Sequence, residues 1–427
     1  MTTGKALLNG KPYAGNPHVA LSQCHGGTVR FDEGEVAPAV TPRRGSLLYQ
    51  KLGSMFVRTA ALCIAAVGMP SACHAGIPDG MQWGVTFGFY ATNGYFGSVE
   101  AKAEIDAIAR AGATWVTVVP TVWQDTCSSS FQYKDFALTP NDIELMDAID
   151  LIHAKGMKVQ LRPMLECKDG IGRLGVWMIA DRERMPGRST QARGKWFDSM
   201  AARSAYYARI AERTKCEAFC LDSELDRMVE ESGKWKAVIA AVRKVYSGPV
   251  TSCHTLHTGV VDFKKCLSDP NHWFHSLDYL TISYYCPART KSDKGKHLSV
   301  EDMMARLKGA HAAMQAIAKA TGKPIVFGEC GCASIKNGAA SPSGLDVEAD
   351  PDEDEQATYM EALFRVFAHE EWCRGFHWWK WDQHSSRKKG VTREQVRVRD
   401  FTIKGKRAEK VFQRWAQEKV DVKETKE

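Results

Sequence analysis

From residue 81 onward, short apolar runs alternate with longer stretches in which apolar residues return every three or four positions. The short runs are 83–90, 115–120, 158–164, 218–222, 249–253, 279–284, 324–328 and 375–379. They are bounded by Gly, Pro or polar residues, the pattern of strands. The stretches between them have the period of amphipathic helices. In 98–111, Ile105, Ile108 and Ala109 fall on one side and Glu100 and Lys102 on the other. In 141–155, Ile143, Met146, Ile149 and Ile152 keep helical spacing. Helices are also predicted over 195–214, 231–245, 300–320, 354–369 and 406–419. The crossover after 249–253 is the weakest, with only 260–267 to supply it.

Near-continuous apolar strands joined by helices form parallel sheets covered on both faces. Eight such units in about 340 residues predict an α/β fold, a (β/α)8 TIM barrel forming one domain over 76–420. No Gly-rich nucleotide loop follows the first strand, which counts against a dinucleotide-binding sheet. No repeat of 20–50 residues is present. Two long loops follow the third and seventh strands. One, 168–194, carries five Gly and many charges; the other, 338–355, ends in EADPDEDE.

The formal net charge is +7, and its location explains it. Residues 1–75 hold seven Lys/Arg against three Asp/Glu, and 401–427 hold eight against five. The barrel between them has no basic excess, so no nucleic-acid partner is predicted. Residues 55–75, MFVRTAALCIAAVGMPSACHA, read as a signal peptide. Arg58 supplies the positive start, 60–69 the apolar stretch, and Cys73-His74-Ala75 a small-residue cleavage site. The run is too short to span a bilayer. A secreted or periplasmic protein is the expectation, with 1–54 an unstructured leader or mis-assigned extension and 421–427 a charged tail. Of 13 Cys, ten lie beyond the leader, and export would allow some to pair. No pair of them has the spacing of a zinc site. No metal and no cofactor is implied.

Two of the apolar runs end in glutamate. EAFCLDSEL carries Glu224 and KPIVFGEC carries Glu329, at the C-terminal ends of the fourth and seventh strands. In a (β/α)8 barrel those ends converge on the catalytic face, and two carboxyls there are the minimum equipment for glycoside hydrolysis. Alternation puts Cys220, Asp222 and Glu224 on one face, and Ile325, Phe327 and Glu329 on one face. GFHWWKWD offers Trp379 and Trp381 as faces for sugar rings, with Trp378 assigned to core packing by parity. Asn93 and Tyr95 follow the first strand. Arg162 lies on the third and is suited to hold a carboxylate ionised. His254 and His257 follow the fifth, where they would bind hydroxyls, and Tyr284 and Tyr285 close the sixth.

At these residues the chain resembles glycoside hydrolase family 113, a clan A family of retaining β-mannanases. GVTFGFYATNGYF is similar to its first strand and loop, and VTVVPTVWQD and IHAKGMKVQLRPM to its second and third strands. WKAVIAAVRKVYSGPVT, LDYLTISYYCP and FTIKGKRAEKVFQRW follow in the family's order, so the resemblance runs from about residue 83 to 415. It implies Glu224 as acid/base, Glu329 as nucleophile and Tyr285 as the sixth-strand tyrosine beside the nucleophile. The chain departs from the pattern at Ser223, where clan A enzymes commonly carry an Asn that binds the sugar 2-hydroxyl. The expected partner is a β-1,4-mannan or related hemicellulose. The alternatives are another clan A β-glycosidase, such as a β-glucanase or exo-mannosidase, and a non-catalytic carbohydrate-binding barrel.

Overall fold

The computed structural model describes residues 76–78, 80–177, 186–293, 295–381 and 392–418, together with the short strand Thr28–Val29. Thr28–Val29 pairs antiparallel with Lys134–Asp135. The rest of the 1–54 leader, the 55–75 segment and the 421–427 tail lie outside the described residues.

Eight parallel strands close a barrel in sequence order. They are β1 Gln82–Phe87, β2 Trp115–Val118, β3 Lys158–Leu161, β4 Ala218–Ser223, β5 Val250–Thr255, β6 Leu280–Tyr284, β7 Ile325–Cys330 and β8 Cys373–Trp378. β8 pairs back onto β1, with Phe376 opposite Trp83. All eight predicted runs are strands. β1 stops short of the predicted residue 90 because Gly88 turns the chain at φ +89, where a Cβ would run into the Phe96 ring.

The helices are α1 Val99–Arg110, α2 Asp142–Ala154, α3 Pro186–Arg213, α4 Ser232–Arg243, α5 Phe263–Ser268, α6 Val300–Leu307, α7 His311–Thr321, α8 Glu353–Phe367, α9 Arg393–Arg397 and α10 Arg407–Gln417. The predicted 300–320 helix is broken by a tight turn at Lys308–Ala310. α3 begins inside the stretch read as a loop. The weakly patterned crossover after β5 is the six-residue α5 followed by a turn at Trp273–Ser276. On α2 the pattern misplaces one residue. Ile143 is 70% exposed, while Glu144 is buried. Glu144 accepts from Asn141 N at 2.7 Å, closing a capping box, and from Gly94 N at 2.8 Å. Capping thus outweighs hydropathy in the first turn.

The main apolar core lies between strands and helices, and the barrel interior is largely polar. Trp115, Ala218, Tyr279 and Val326 plug its N-terminal end. Above them, Tyr279 donates to Gln160 Oε1 at 2.9 Å and Gln160 Nε2 to Thr117 Oγ1 at 3.0 Å. Thr117 meets His377 Nδ1 at 2.5 Å, and His377 Nε2 meets Gln82 Oε1 at 2.9 Å. Burial, and then the Arg162 charge above, push His377 down to about 3, so this network is neutral at its centre. Arg162 forms the next level toward the C-terminal mouth. The ten cysteines of the described residues are free thiols, nine of them buried. No helix among the described residues is long and apolar enough to cross a membrane.

Candidate active site

Glu224 directly follows β4 and Glu329 is the penultimate residue of β7, where they are 7% and 1% exposed. Both strands carry one residue more than their neighbours just before the glutamate. Between β4 and β5, Cys220 pairs with Thr251 and Ser223 with Cys253. Between β6 and β7, Thr281 pairs with Val326 and Ser283 with Glu329. Between β7 and β8, Phe327 pairs with Phe376 and Cys330 with Trp378. Each mismatch sets three steps against two, a β-bulge.

The bulges correct the faces that alternation predicted. Asp222 does not share the inner face with Glu224; it pairs with Arg203 of α3 at 2.7 Å. Phe327 packs outward against Phe367 of α8, with ring centroids 5.0 Å apart. Strict alternation would have sent Glu329 out with it. The extra residue returns Glu329 to the interior and lets Ser223 and Glu224 both face the mouth. Glu224 completes the turn in the left-handed region at φ +61, a conformation that costs a non-glycine residue free energy and clusters at functional sites.

The two carboxyls stand in different surroundings. Glu329 Oε1 accepts from Ser223 Oγ at 2.6 Å and faces Arg162 Nη2 at 3.4 Å. Its Oε2 accepts from the Tyr285 hydroxyl at 3.4 Å. Arg162 is fixed by donating to Gly328 O at 3.0 Å and Thr86 Oγ1 at 3.3 Å. Glu224 Oε1 accepts from Ser283 Oγ at 2.7 Å and its Oε2 meets Arg173 Nη2 at 3.1 Å. Burial raises the Glu224 carboxyl to about 7; Arg173 opposes the rise and the nearby Glu329 charge adds to it. One carboxyl thus holds a proton near neutrality, while the other is surrounded by donors and a cation. That is the division of labour needed by an acid/base and a nucleophile.

The model of glycoside hydrolase family 113 matches residues 85–406. The chain belongs to glycoside hydrolase family 113. It is a glycoside hydrolase, and solved structures agree. The family 113 β-mannanase AaManA from Alicyclobacillus acidocaldarius, in complex with ManMIm, is 28% identical with a TM-score of 0.65, covering 80% of this chain and 99% of that one. A complex of a family 113 β-1,4-mannanase is 27% identical with a TM-score of 0.64, covering 79% and 99%. A family 5 mannosidase from Rhizomucor miehei, at 11% identity and a TM-score of 0.52 with 80% and 97% covered, shares the fold. No curated protein sequence matches the chain.

Of the residues singled out in the sequence of this family 113 enzyme, several gather at the carboxyl pair. Arg162, Ser223 and Tyr285 bond Glu329 as described. Trp379 is half-buried beside Phe89, with ring centroids 5.0 Å apart, and a cis peptide joins it to Lys380. His257 lies edge-on to the Tyr285 ring at 5.8 Å, and burial holds it below its ordinary pKa.

Others are placed elsewhere. His254 faces out of the barrel, bonded to Asp226 Oδ1 and Ser252 Oγ at 3.0 Å and packed against Trp273. Trp381 is 1% exposed and donates to Glu104 Oε2 of α1 at 2.8 Å. Trp378 is also in the core, donating to Phe401 O at 2.9 Å. Asn93 accepts from Asn141 Nδ2 at 2.9 Å, and Tyr95 packs on Phe87 and Phe96. These bonds tie them to the scaffold rather than to the carboxyls.

Sequence reasoning missed Ser283, Glu166 and Arg173. Ser283 had a signal, since Thr281, Ser283 and Tyr285 alternate as polar positions in an apolar run. Arg173 had none, because it sits in a tight turn, Arg173–Gly175, within a loop without periodicity. Among the described residues no group of His, Cys, Asp or Glu is placed to hold a metal ion.

Proposed function

We propose that this enzyme hydrolyses β-1,4-mannan or a related hemicellulose with retention of configuration. The observation that carries the reading is the unequal pair: Glu224 raised to about 7 and Glu329 ringed by Ser223, Tyr285 and Arg162. Glu329 attacks the anomeric carbon as the glycosidic C–O bond breaks, and Glu224 gives its proton to the leaving oxygen. The glycosyl-enzyme on Glu329 is then attacked by water, whose proton passes to Glu224 as Glu329 departs. Trp379 offers an apolar ring face for a bound sugar, and the likeness to family 113 β-mannanases supports a mannan backbone. Export belongs to the same proposal and rests on 55–75; a mature N-terminus near Gly76 in secreted material is the expected finding.

Reducing-sugar release from mannan, glucomannan, xylan and cellulose tests the reading, with proton NMR of the first-formed anomer. The expected result is hydrolysis of mannan or glucomannan and an initial β-anomer. Preference for cellulose or xylan would move the substrate to another β-glycan. No hydrolysis of any would favour a binding function.

A further inference from the structure

We propose that Arg173, oriented by Glu166, is a positioning residue that holds the carboxylate form of Glu224 and so speeds breakdown of the glycosyl-enzyme. The inference rests on the acid/base role proposed for Glu224.

Arg173 forks between the carboxyls of Glu166 and Glu224; burial raises the Glu166 pKa, and the Arg173 charge opposes that rise. Its Nη1 meets Glu166 Oε1 at 2.6 Å and its Nη2 meets Glu224 Oε2 at 3.1 Å. The guanidinium lies over the rings of Phe89 at 5.3 Å and Trp379 at 6.0 Å, and only 12% of the side chain is exposed. Four elements therefore fix its plane: the segment carrying Glu166, the loop after β1, the segment after β8 and Glu224 itself. The backbone is tied as well, since Arg227 Nε, in the turn that follows Glu224, donates to Leu174 O at 3.0 Å. Glu166 sits at the end of a short strand, Met164–Cys167, paired in parallel with Thr121–Gln124. Its position is thus set by regular structure.

This arrangement matters because Glu224 must change charge. In the first step it loses its proton to the leaving oxygen, and the carboxylate is left at a position only 7% exposed. In the second step it must be a carboxylate to take a proton from water, while the water oxygen bonds to the anomeric carbon and the Glu329 ester breaks. A buried carboxylate without a cation is strongly disfavoured. The other charged groups near Glu224 do not supply that cation. Glu329 and Asp226 are acidic and raise its pKa. Asp226 is occupied by His254 and Thr255. Arg162 serves Glu329, burial lowers the His257 pKa and so disfavours its charged form, and the buried Lys380 ammonium lies over the Phe89 and Trp379 rings. Glu166 keeps Arg173 from over-stabilising the carboxylate, which would leave no acid for the first step.

Three variants, Arg173→Met, Arg173→Lys and Glu166→Gln, test the proposal when assayed across pH on a manno-oligosaccharide, whose sugar leaving group needs the acid, and at pH 7 on an activated nitrophenyl β-mannoside. The alkaline limb of kcat/KM on the oligosaccharide reports deprotonation of Glu224. Arg173→Met should move that limb up by about one pH unit or more, and Glu166→Gln should move it down, because the first removes an opposite charge and the second a competing one. At pH 7, Arg173→Met should release a burst of nitrophenol and then turn over at least about fivefold more slowly, since activated leaving groups need little acid but the second step needs the base, whose ionised fraction falls from about half to about a tenth. Arg173→Lys keeps the charge and should leave the limb near its wild-type place. Infrared difference titration of the carboxyl absent in Glu224→Gln reads the same shifts without substrate. Inactivity on mannosides would then count against the substrate alone. Unmoved limbs, shifts of the same sign in both variants, or lost kcat without a burst would overturn the proposal. If Arg173→Met does not fold, Glu166→Gln and Arg173→Lys still decide it, a Glu166→Gln limb that stays or rises being the contrary result.

Discussion

Ser223 Oγ donates a 2.6 Å hydrogen bond to Glu329 Oε1, so the residue that precedes one carboxyl in the chain is bonded to the other. The β-bulge in β4 makes this possible by turning Ser223 and Glu224 toward the mouth in succession. The acid/base strand thereby places the nucleophile, and the two strands cannot shift independently.

Ser223→Ala removes that donor and leaves a buried carboxylate oxygen under-satisfied. A hydrogen bond to a charged group is worth about 1.5–3 kcal/mol, so kcat should fall by roughly 10- to 150-fold. The KM on a small aryl glycoside should change little. An unchanged kcat would show that Arg162 and Tyr285 suffice to hold Glu329.

The raised Glu224 pKa links activity to stability. The unfolded carboxyl titrates at about 4.3 and the folded one at about 7. The folded state therefore holds its proton more tightly. The stability this confers is complete below the unfolded value and is lost as pH rises through the folded one. Glu224→Gln should unfold near the wild-type temperature at pH 4 and at a higher temperature at pH 8. Calorimetry at the two pH values checks the sign.

Arg203 and Asp222 are an interior ion pair, each with a side chain no more than 1% exposed. Arg203→Met should leave the Asp222 charge buried without its partner and cost about 3–5 kcal/mol in denaturant unfolding. Because Asp222 Oδ1 also accepts from Ser223 N at 2.7 Å, kcat should fall in the variant that remains folded.

Two tryptophans two residues apart should behave differently. Trp379→Ala removes a half-buried ring beside the carboxyls and should raise KM on polysaccharide. Trp381→Phe loses the bond to Glu104 deep in the packing and should cost about 1 kcal/mol of stability with KM unchanged. Paired kinetic and unfolding measurements separate the two.

The fold was legible because each barrel strand is an apolar run closed by a turn residue, and because both glutamates sit where such runs stop. The orientation of side chains at the site was not. Alternation assumes a regular ladder, and the extra residues in β4 and β7 break it within three positions of each glutamate. His254 and Trp381 look like ligand-binding residues by type and position, yet their polar atoms are already committed to Asp226 and Glu104. Arg173 could not be found because its partners, Glu166 and Glu224, come from separate elements that only the folded chain brings together.

The stereochemistry of azide rescue is the most direct test of the two roles. An aryl β-mannoside with a nitrophenol leaving group should be incubated with each alanine variant and azide, and the sugar azide assigned by NMR. With Glu224→Ala the glycosyl-enzyme still forms on Glu329, and azide needs no base to attack it, so the β-mannosyl azide is predicted. With Glu329→Ala azide enters from the vacated nucleophile side, and the α-mannosyl azide is predicted. The α-product from Glu224→Ala together with the β-product from Glu329→Ala would reverse the assignment, and full activity in either variant without azide would place the chemistry elsewhere.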